Sequence, residues 1–544
     1  MSTADASDAT VLAIDRLTVE LPPGADRRYA VEDLTLSVGA GEIVCVVGES
    51  GSGKSVSAFT VMGLLPHEVK PVAGSIRLEG EELVGTTEQR MRDLRGSRMA
   101  MIFQEPMTAL DPVKTIGDGI EEVLTVHTSM SRAERPARVR ETIASVHLPD
   151  PDAIMRAFPH QLSGGQRQRA MIAGALVLDP ALLIADEPST ALDVTTQAQI
   201  LKLVAELRAR RGTGVLFITH DIGVVADIAH RVVVMRQGRI VEQGPAEDVL
   251  RRPQHPYTKM LIDAVPGIHP PERASKASEP IVLRASGLTK TYVSGGMFRA
   301  KRIVEAAKDV DLELRRGETL GIVGESGSGK STVARTLVRL IPPTSGHMTL
   351  CDGDAKDIDY ALLPERKLRP VRRRVQIVFQ DPYRSLNPRR TIEAALLEAP
   401  MNFGVSRKDA LAKARELLGL VGMSHEALAR YPHQFSGGQR QRLCIARALM
   451  VDPDLLIADE AVSALDVSVQ AQVLKLLDSL REKLQLALVF ITHDLRVAAQ
   501  ICDRIAVMQK GRVVETGLTR DVFAAPSHAY TQALFAAAPG KGLG

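Results

Sequence analysis

The chain has 544 residues, 45% hydrophobic and 24% charged. That balance excludes a wholly disordered chain or a fibre, and the length suggests three or four lobes at roughly 150 residues each. A net charge of +3, 3% aromatics and no Trp argue against nucleic acid as a partner. No stretch approaches the roughly 18–20 uninterrupted apolar residues of a membrane span. Residues 1–10 lack the basic-then-apolar pattern of a secretory signal, so neither membrane crossing nor secretion is expected. Cys45, Cys351, Cys444 and Cys502 are too scattered for a disulfide framework or a clustered metal site.

In chain order, the apolar run 43–47 predicts a strand buried on both faces. It leads into Gly48-Glu-Ser-Gly-Ser-Gly-Lys-Ser55, which fits G-x-x-x-x-G-K-[ST] between a strand and a helix. A second strand, 99–103, ends at Gln104. Residues 105–161 are mostly helical in character and read as an insertion interrupted by Pro112, Pro136 and Pro149. Ser163-Gly164-Gly165-Gln166 opens a helix over 166–177. The apolar strand 182–185 ends in Asp186 and Glu187. A helix over 197–211 places Ile200, Leu203, Val204 and Leu207 on one face, and a strand over 215–219 precedes His220. Alternating buried strands and amphipathic helices predict an α/β domain with a largely parallel sheet.

The whole pattern then returns. Gly324-Glu-Ser-Gly-Ser-Gly-Lys-Ser331 and Gln380 lie 276 residues beyond Gly48 and Gln104; Ser436, Asp459, Glu460 and His493 lie 273 beyond their counterparts. A single three-residue deletion explains the change of register. His255-Pro-Tyr-Thr258 returns as His528-Ala-Tyr-Thr531. The period is too long for a solenoid, so this is a duplicated domain: 1–262 and 283–544, joined by 263–282. That joining stretch holds Pro266, Pro270, Pro271 and Pro280 with small polar residues. It reads as a flexible tether of about 25 Å average span, so pairing of the two halves is expected to be intramolecular.

The chemistry follows from residue type. Gly48, Ser50, Gly51, Ser52 and Gly53 let backbone amides curl around phosphate oxygens, and the helix start adds partial positive charge. Lys54 neutralises phosphates and Ser55 offers a hydroxyl to Mg²⁺. Gly324, Ser326, Gly327, Ser328, Gly329, Lys330 and Ser331 do the same in the second copy. Asp186 and Asp459, at the carboxyl edge of a buried strand, are placed to hold Mg²⁺ through water. Glu187 and Glu460 are placed to polarise an attacking water. An acid pair capping the next helix is the bland alternative, and the phosphate loop upstream disfavours it.

These residues resemble the ABC-type ATPases. Ser163-Gly164-Gly165-Gln166 and Ser436-Gly437-Gly438-Gln439 look like the signature motif, Gln104 and Gln380 like the Q-loop glutamines. Ala191-Leu-Asp193 and Ala464-Leu-Asp466 look like the D-loop, His220 and His493 like the switch histidines. The resemblance implies two tandem nucleotide-binding domains, each a RecA-like α/β core with an antiparallel β edge and a helical subdomain. It also implies ATP and Mg²⁺ as ligands, with Gln104 and Gln380 joining Ser55, Ser331, Asp186 and Asp459 at the metal. The domains would pair head to tail, Lys54, Gln104, Asp186, Glu187 and His220 facing the signature residues 436–439. Lys330, Gln380, Asp459, Glu460 and His493 would face 163–166. Val56 stands where the family usually has the Thr that Thr332 keeps; both are expected beside nucleotide. Phe435 replaces Leu162, and Ala461 replaces Pro188. Neither copy looks degenerate, so two hydrolytic sites are expected. Tyr292 matches the family's adenine-stacking aromatic. The first copy has Leu21 there, with Tyr29 as a substitute.

Gln104-Glu-Pro-Met-Thr-Ala-Leu-Asp-Pro112, Pro159-His-Gln161 and the His-Pro-Tyr-Thr tail resemble the oligopeptide/dipeptide/nickel importer branch. That implies an ATP-hydrolysing motor for uptake of short peptides, glutathione or related solutes, working with two membrane permeases and an extracytoplasmic solute-binding protein. The chain would sit peripherally on the cytoplasmic face of the inner membrane. The insertions 105–161 and 381–434 would receive the permeases' coupling helices. Many members carry a cysteine cluster after the His-Pro-Tyr-Thr segment; none is present here, so no iron–sulfur cluster is expected. The basic run Arg369, Arg372, Arg373, Arg374 reads as a solvated face rather than a lipid contact. A soluble tandem ATPase acting on ribosomes usually has a long, charged, helical linker, which 263–282 lacks. The branch-specific wording disfavours an exporter.

Overall fold

The computed structural model describes residues 10–188, 193–294, 302–351, 357–463 and 465–540. Ala191, Leu192 and Ala464 of the expected D-loops, and the Leu207 side chain, lie outside the described residues. The chain forms two compact units, Met1–Val265 with Pro539–Gly544, and Pro266–Ala538.

The first unit holds two sheets. Six strands run in the order Arg239–Pro245, Arg231–Arg236, Ile43–Val47, Gly214–Ile218, Leu182–Asp186, Met99–Ile102, all neighbours parallel except the Arg239–Pro245 edge. A four-stranded antiparallel sheet orders Tyr29–Gly39, Thr10–Glu20, Lys70–Leu78, Glu81–Glu82. Ile43–Val47 shows why the central strands are apolar at every position. Side chains alternate across a strand, and both faces are covered. Ile43, Cys45 and Val47 join a core with Ile116, Ile120, Val139 and Ile143 of the insertion. Val44 and Val46 join another with Leu12, Leu36, Ala58 and Val61. Each such buried aliphatic side chain contributes about 1.5–3 kcal/mol relative to exposure.

The insertion is helical, as Ile116–His127, Arg135–Ser145 and Pro151–Arg156. Pro136 does not interrupt a helix as expected from sequence. It lies in the first turn of Arg135–Ser145, where its missing N–H costs no hydrogen bond. The helix Val194–Arg211 starts at Asp193, whose carboxylate accepts the Thr196 amide at 2.8 Å, and ends at Gly212 with φ 65°. Ile200, Leu203 and Val204 are buried along it.

The second unit repeats this plan, with the six-stranded order Val375–Val378, Leu455–Asp459, Ala487–Thr492, Thr319–Val323, Arg504–Gln509, Arg512–Leu518 and an antiparallel sheet around Ile281–Ser294. The segment expected to be a flexible tether instead packs on this unit from Pro266 onward. The Arg273 guanidinium donates to Asp478 at 3.0 Å and to the Gln500 carbonyl at 2.6 Å, and Gln500 Nε2 donates to the Gly267 carbonyl at 2.9 Å. Composition alone marks proline and small polar residues as loop. It carries no sign of carbonyl and carboxylate partners some 200 residues further on. Among the described residues no helix is long and apolar enough to cross a membrane.

Candidate functional site

Each phosphate loop leaves the central strand and enters a helix, Lys54–Val61 or Lys330–Leu337. Two glycines set its path. Gly48 has φ 152°, and a Cβ there would lie 2.2 Å from the Met235 carbonyl oxygen. Gly53 has φ 104°, and its Cβ would lie 2.6 Å from that of Ala30. No side chain fits either place, and the left-handed φ at Gly53 is costly for any other residue. At Gly51 a Cβ would meet nothing within 4 Å among the described residues, so the loop's outer side is open there.

Lys54 is only 6% exposed, and its ammonium donates to the carbonyls of Gly48 at 2.7 Å and Glu49 at 3.0 Å. Lys330 repeats this with Gly324 at 2.7 Å and Glu325 at 2.8 Å. Ser328 Oγ is buried with no hydrogen-bond partner among the described residues. Ser55 Oγ donates to Asp186 at 2.9 Å and Ser331 Oγ to Asp459 at 3.1 Å. A hydroxyl beside a carboxylate is a hard oxygen donor set of the kind Mg²⁺ takes. The lysine, glycines and helix start suit a polyphosphate, so the residues fit both groups.

Burial pushes Asp186 up to about 6; the Ser55 hydrogen bond opposes this and the neighbouring Glu187 adds to it. Asp459 is raised for the same reason. Gln104 Nε2 donates to Glu187 Oε2 at 2.8 Å, and His220 Nδ1 lies 3.3 Å from Glu187 Oε1. In the second unit the corresponding distances are 2.9 Å from Gln380 to Glu460 and 3.5 Å from His493 to Glu460. Burial alone would raise Glu460, yet the hydrogen bond and charge of His493 hold it below the usual carboxylate range. Conversely, burial would lower His493, and Glu460 holds it above the usual imidazole range. Both glutamates have left-handed backbone, φ 47° at Glu187 and 49° at Glu460. Such residues cost of order 1–3 kcal/mol and persist where surroundings dictate them. Here Glu187 N–H is held by the Ile218 carbonyl at 2.9 Å, and Glu460 N–H by that of Ile491 at 3.0 Å.

Thus each unit gathers its own lysine, serine, glutamine, two acids and histidine. The signature residues open a separate helix in each unit, Gly164–Leu176 and Gly437–Leu449. Ser163 Oγ accepts the Gln166 amide at 3.3 Å while Gln166 Oε1 accepts that of Ser163 at 3.0 Å; Ser436 and Gln439 do likewise. The second signature glycine has a packing reason. A Cβ at Gly165 would lie 2.8 Å from Thr196 Cγ2, and one at Gly438 would lie 2.2 Å from Val469 Cγ1. Tyr292 is 39% exposed on Ile281–Ser294 with the Lys290 ammonium 5.2 Å from its ring centre. Tyr29 begins its strand beneath the Arg28 guanidinium, 4.9 Å away.

Sequence reasoning missed three contacts. Arg27 donates to the Gly51 carbonyl of the phosphate loop, and nothing in the motif announces it. Tyr257 and Tyr530 reach Glu49 and Glu325; the repeated His-x-Tyr-Thr was the available signal. The basic run on the helix Glu365–Arg374 is engaged within the fold. Arg372 pairs with Glu365 and Arg374 with Asp454, while Arg369 donates to the Asn402 carbonyl.

Residues 31–190 and 307–463 match the family model described as ABC transporter. Residues 241–300 and 514–542 match that described as Oligopeptide/dipeptide transporter, C-terminal region. The chain is 45% identical to Glutathione import ATP-binding protein GsiA of Escherichia coli (strain K12), over 99% of its own length and 91% of that protein. It is 44% identical to the protein of that name from Salmonella typhimurium, over 97% and 89%. A solved dimeric ATP-binding cassette in a post-hydrolysis state with ADP and Pi matches 43% of the chain and 98% of its own, at 28% identity and a TM-score of 0.40. The chain therefore belongs to the ABC transporter family, as a fused tandem ATP-binding protein of its oligopeptide/dipeptide branch.

Proposed function

We propose that the chain is the ATP-hydrolysing motor of an importer for short peptides, glutathione or a related solute. The observation that carries this reading is the duplicated constellation of Lys, Ser, Gln, Asp, Glu and His, set in a chain 45% identical to a glutathione import ATP-binding protein. Lys54 and Lys330 neutralise the β and γ phosphates. Ser55, Gln104 and Asp186, with Ser331, Gln380 and Asp459 in the other unit, hold Mg²⁺, which when bound offsets phosphate charge as a Lewis acid. Glu187 and Glu460 orient and polarise the attacking water, each steadied by its glutamine and histidine. Ser163, Gly164, Gly165 and Gln166 complete the site of the second unit, and Ser436, Gly437, Gly438 and Gln439 that of the first, in a head-to-tail pairing of the two units. Tyr292 stacks on adenine.

The partners are two membrane permeases and an extracytoplasmic solute-binding protein, with the chain peripheral on the cytoplasmic face. No iron–sulfur cluster takes part, and iron with labile sulfide in anaerobically purified protein would overturn that. The test of the whole reading is to purify the chain with its permeases and reconstitute them in vesicles. ATP turnover should rise on adding peptide- or glutathione-loaded binding protein, with solute accumulating inside. Turnover that ignores the loaded binding protein, or co-purification with ribosomes instead of permeases, defeats it.

A further inference from the structure

Phosphate-loop chemistry leaves the repeated histidine–tyrosine–threonine segment without a task. In the structure it begins a short helix at the end of each unit, Pro256–Asp263 and Ala529–Ala536. The histidine caps that helix: His255 Nδ1 accepts the Tyr257 amide at 3.1 Å, and His528 Nδ1 accepts that of Tyr530 at 3.1 Å. A glutamate on the preceding strand grips the approach. Glu242 accepts the amides of Gln254 at 2.8 Å and His255 at 3.0 Å; Glu515 accepts those of Ser527 at 2.7 Å and His528 at 3.1 Å.

So anchored, the tyrosine reaches across the unit. Tyr257 is 3% exposed; its hydroxyl accepts the Glu49 amide at 3.1 Å and donates to Glu49 Oε2 at 3.3 Å. Tyr530 Oη accepts the Glu325 amide at 3.0 Å. Glu49 and Glu325 are the second residues of the two phosphate loops. A phenol can accept and donate at once, so one hydroxyl holds both the backbone and the acid of Glu49. The other side of the same residue is held by Lys54, which bonds the Glu49 carbonyl.

We propose that Tyr257 and Tyr530 are positioning residues of the phosphate loops. Each fixes the amide of the glutamate that follows the first glycine, and Tyr257 also keeps the Glu49 acid on the helix Pro256–Asp263 and off the phosphate cradle. The proposal rests on the ATP-binding reading. A carboxylate released within such a loop repels a polyphosphate, and the effect is strong where water is partly excluded. The arrangement recurs in two units whose helices otherwise differ, Pro256 against Ala529 and Lys259 against Gln532. Packing alone would ask for a ring at this place and not for a hydroxyl on the loop amide.

The test is the full chain carrying Tyr257→Phe and Tyr530→Phe together, which keeps both rings. MgATP affinity should fall about three- to tenfold, the size of a lost partly buried hydrogen bond. Hydrogen exchange at the Glu49 and Glu325 amides should quicken while the strands Ile43–Val47 and Thr319–Val323 exchange as before. Unchanged affinity with unchanged exchange at both glutamates overturns the proposal. So does a variant that is merely less stable but binds MgATP like wild type once folded. Should the Phe variant not fold, Glu242→Gln with Glu515→Gln loosens the latch one step back and is expected to weaken MgATP in the same direction. Wild-type protein that fails to bind MgATP defeats the ATP reading itself, and exchange at the two amides then decides whether the tyrosines position the loops.

Discussion

The two units agree where atoms would meet nucleotide and differ behind them. Serine to aspartate is 2.9 Å in one and 3.1 Å in the other, and glutamine to glutamate 2.8 and 2.9 Å. The helix carrying the signature motif is supported differently. In the second unit Arg440 lies 3.8 Å from the Tyr383 ring centre and Arg447 donates to the Ser385 carbonyl; the first has Met107 for Tyr383 and Gly174 for Arg447. In the first, Gln168 Nε2 donates to the Pro188 carbonyl at 2.7 Å, whereas Gln441 Nε2 is buried with no partner among the described residues. Two supports of different chemistry therefore hold the same signature helix, which separates what the reaction requires from what merely packs.

The equivalence of the two sites is broken most directly by Glu187→Gln and Glu460→Gln. Removing a carboxylate that polarises water costs 10²-fold or more at its own site. Each single variant should lower ATP turnover of the assembled transporter at least by half, and the pair by about 100-fold. Full turnover in either single variant shows that its site does not hydrolyse. The aspartates give the next effect, on stability. Because burial raises Asp186 from its usual 3.8 to about 6, the folded chain binds the extra proton between those values. Its contribution is most favourable below pH 4 and is lost as pH rises through 6. Asp186→Asn, measured by denaturation without nucleotide, should stabilise the first unit at pH 8 by up to about 3 kcal/mol. That gain should vanish below pH 4. Asp459→Asn should act in the same direction, and a gain independent of pH would refute the cause. Tyr292→Ala should weaken nucleotide binding at the second site by about tenfold, in the range of base–aromatic stacking. An equal loss from Tyr29→Ala would make the two adenine sites alike after all.

The parts legible in the sequence are those whose physics is local. Ile43–Val47 is apolar at each position because both faces are covered, and the glycines and Lys54 follow it directly. A repeated spacing was enough to align two copies and place both acid pairs. Contacts made by chain segments far apart escaped. Tyr257 meets Glu49 across 208 residues, and Arg273 meets Asp478 across 205. Neither an arginine among prolines nor a tyrosine in a short helix declares its partner. The left-handed backbone of Glu187 was equally hidden, since a glutamate has no intrinsic preference for it.

A further expected effect bears on the supports themselves. Gln168 is 2% exposed and Gln441 1%, so both substitutions to Met keep the volume of a buried side chain. In the first unit Gln168→Met strips the Pro188 carbonyl of its donor, which should cost about 1–3 kcal/mol. In the second, Gln441→Met removes a buried amide whose nitrogen lacks a partner among the described residues, so stability should hold or rise. Denaturant unfolding followed unit by unit reads the difference. Pro188 follows Glu187 directly, so Gln168→Met should also lower turnover at the first site, while Gln441→Met leaves the second site's turnover near wild type. Equal losses of stability in both units would mean that Gln441 has found a carbonyl of its own, and that the two supports are one design after all.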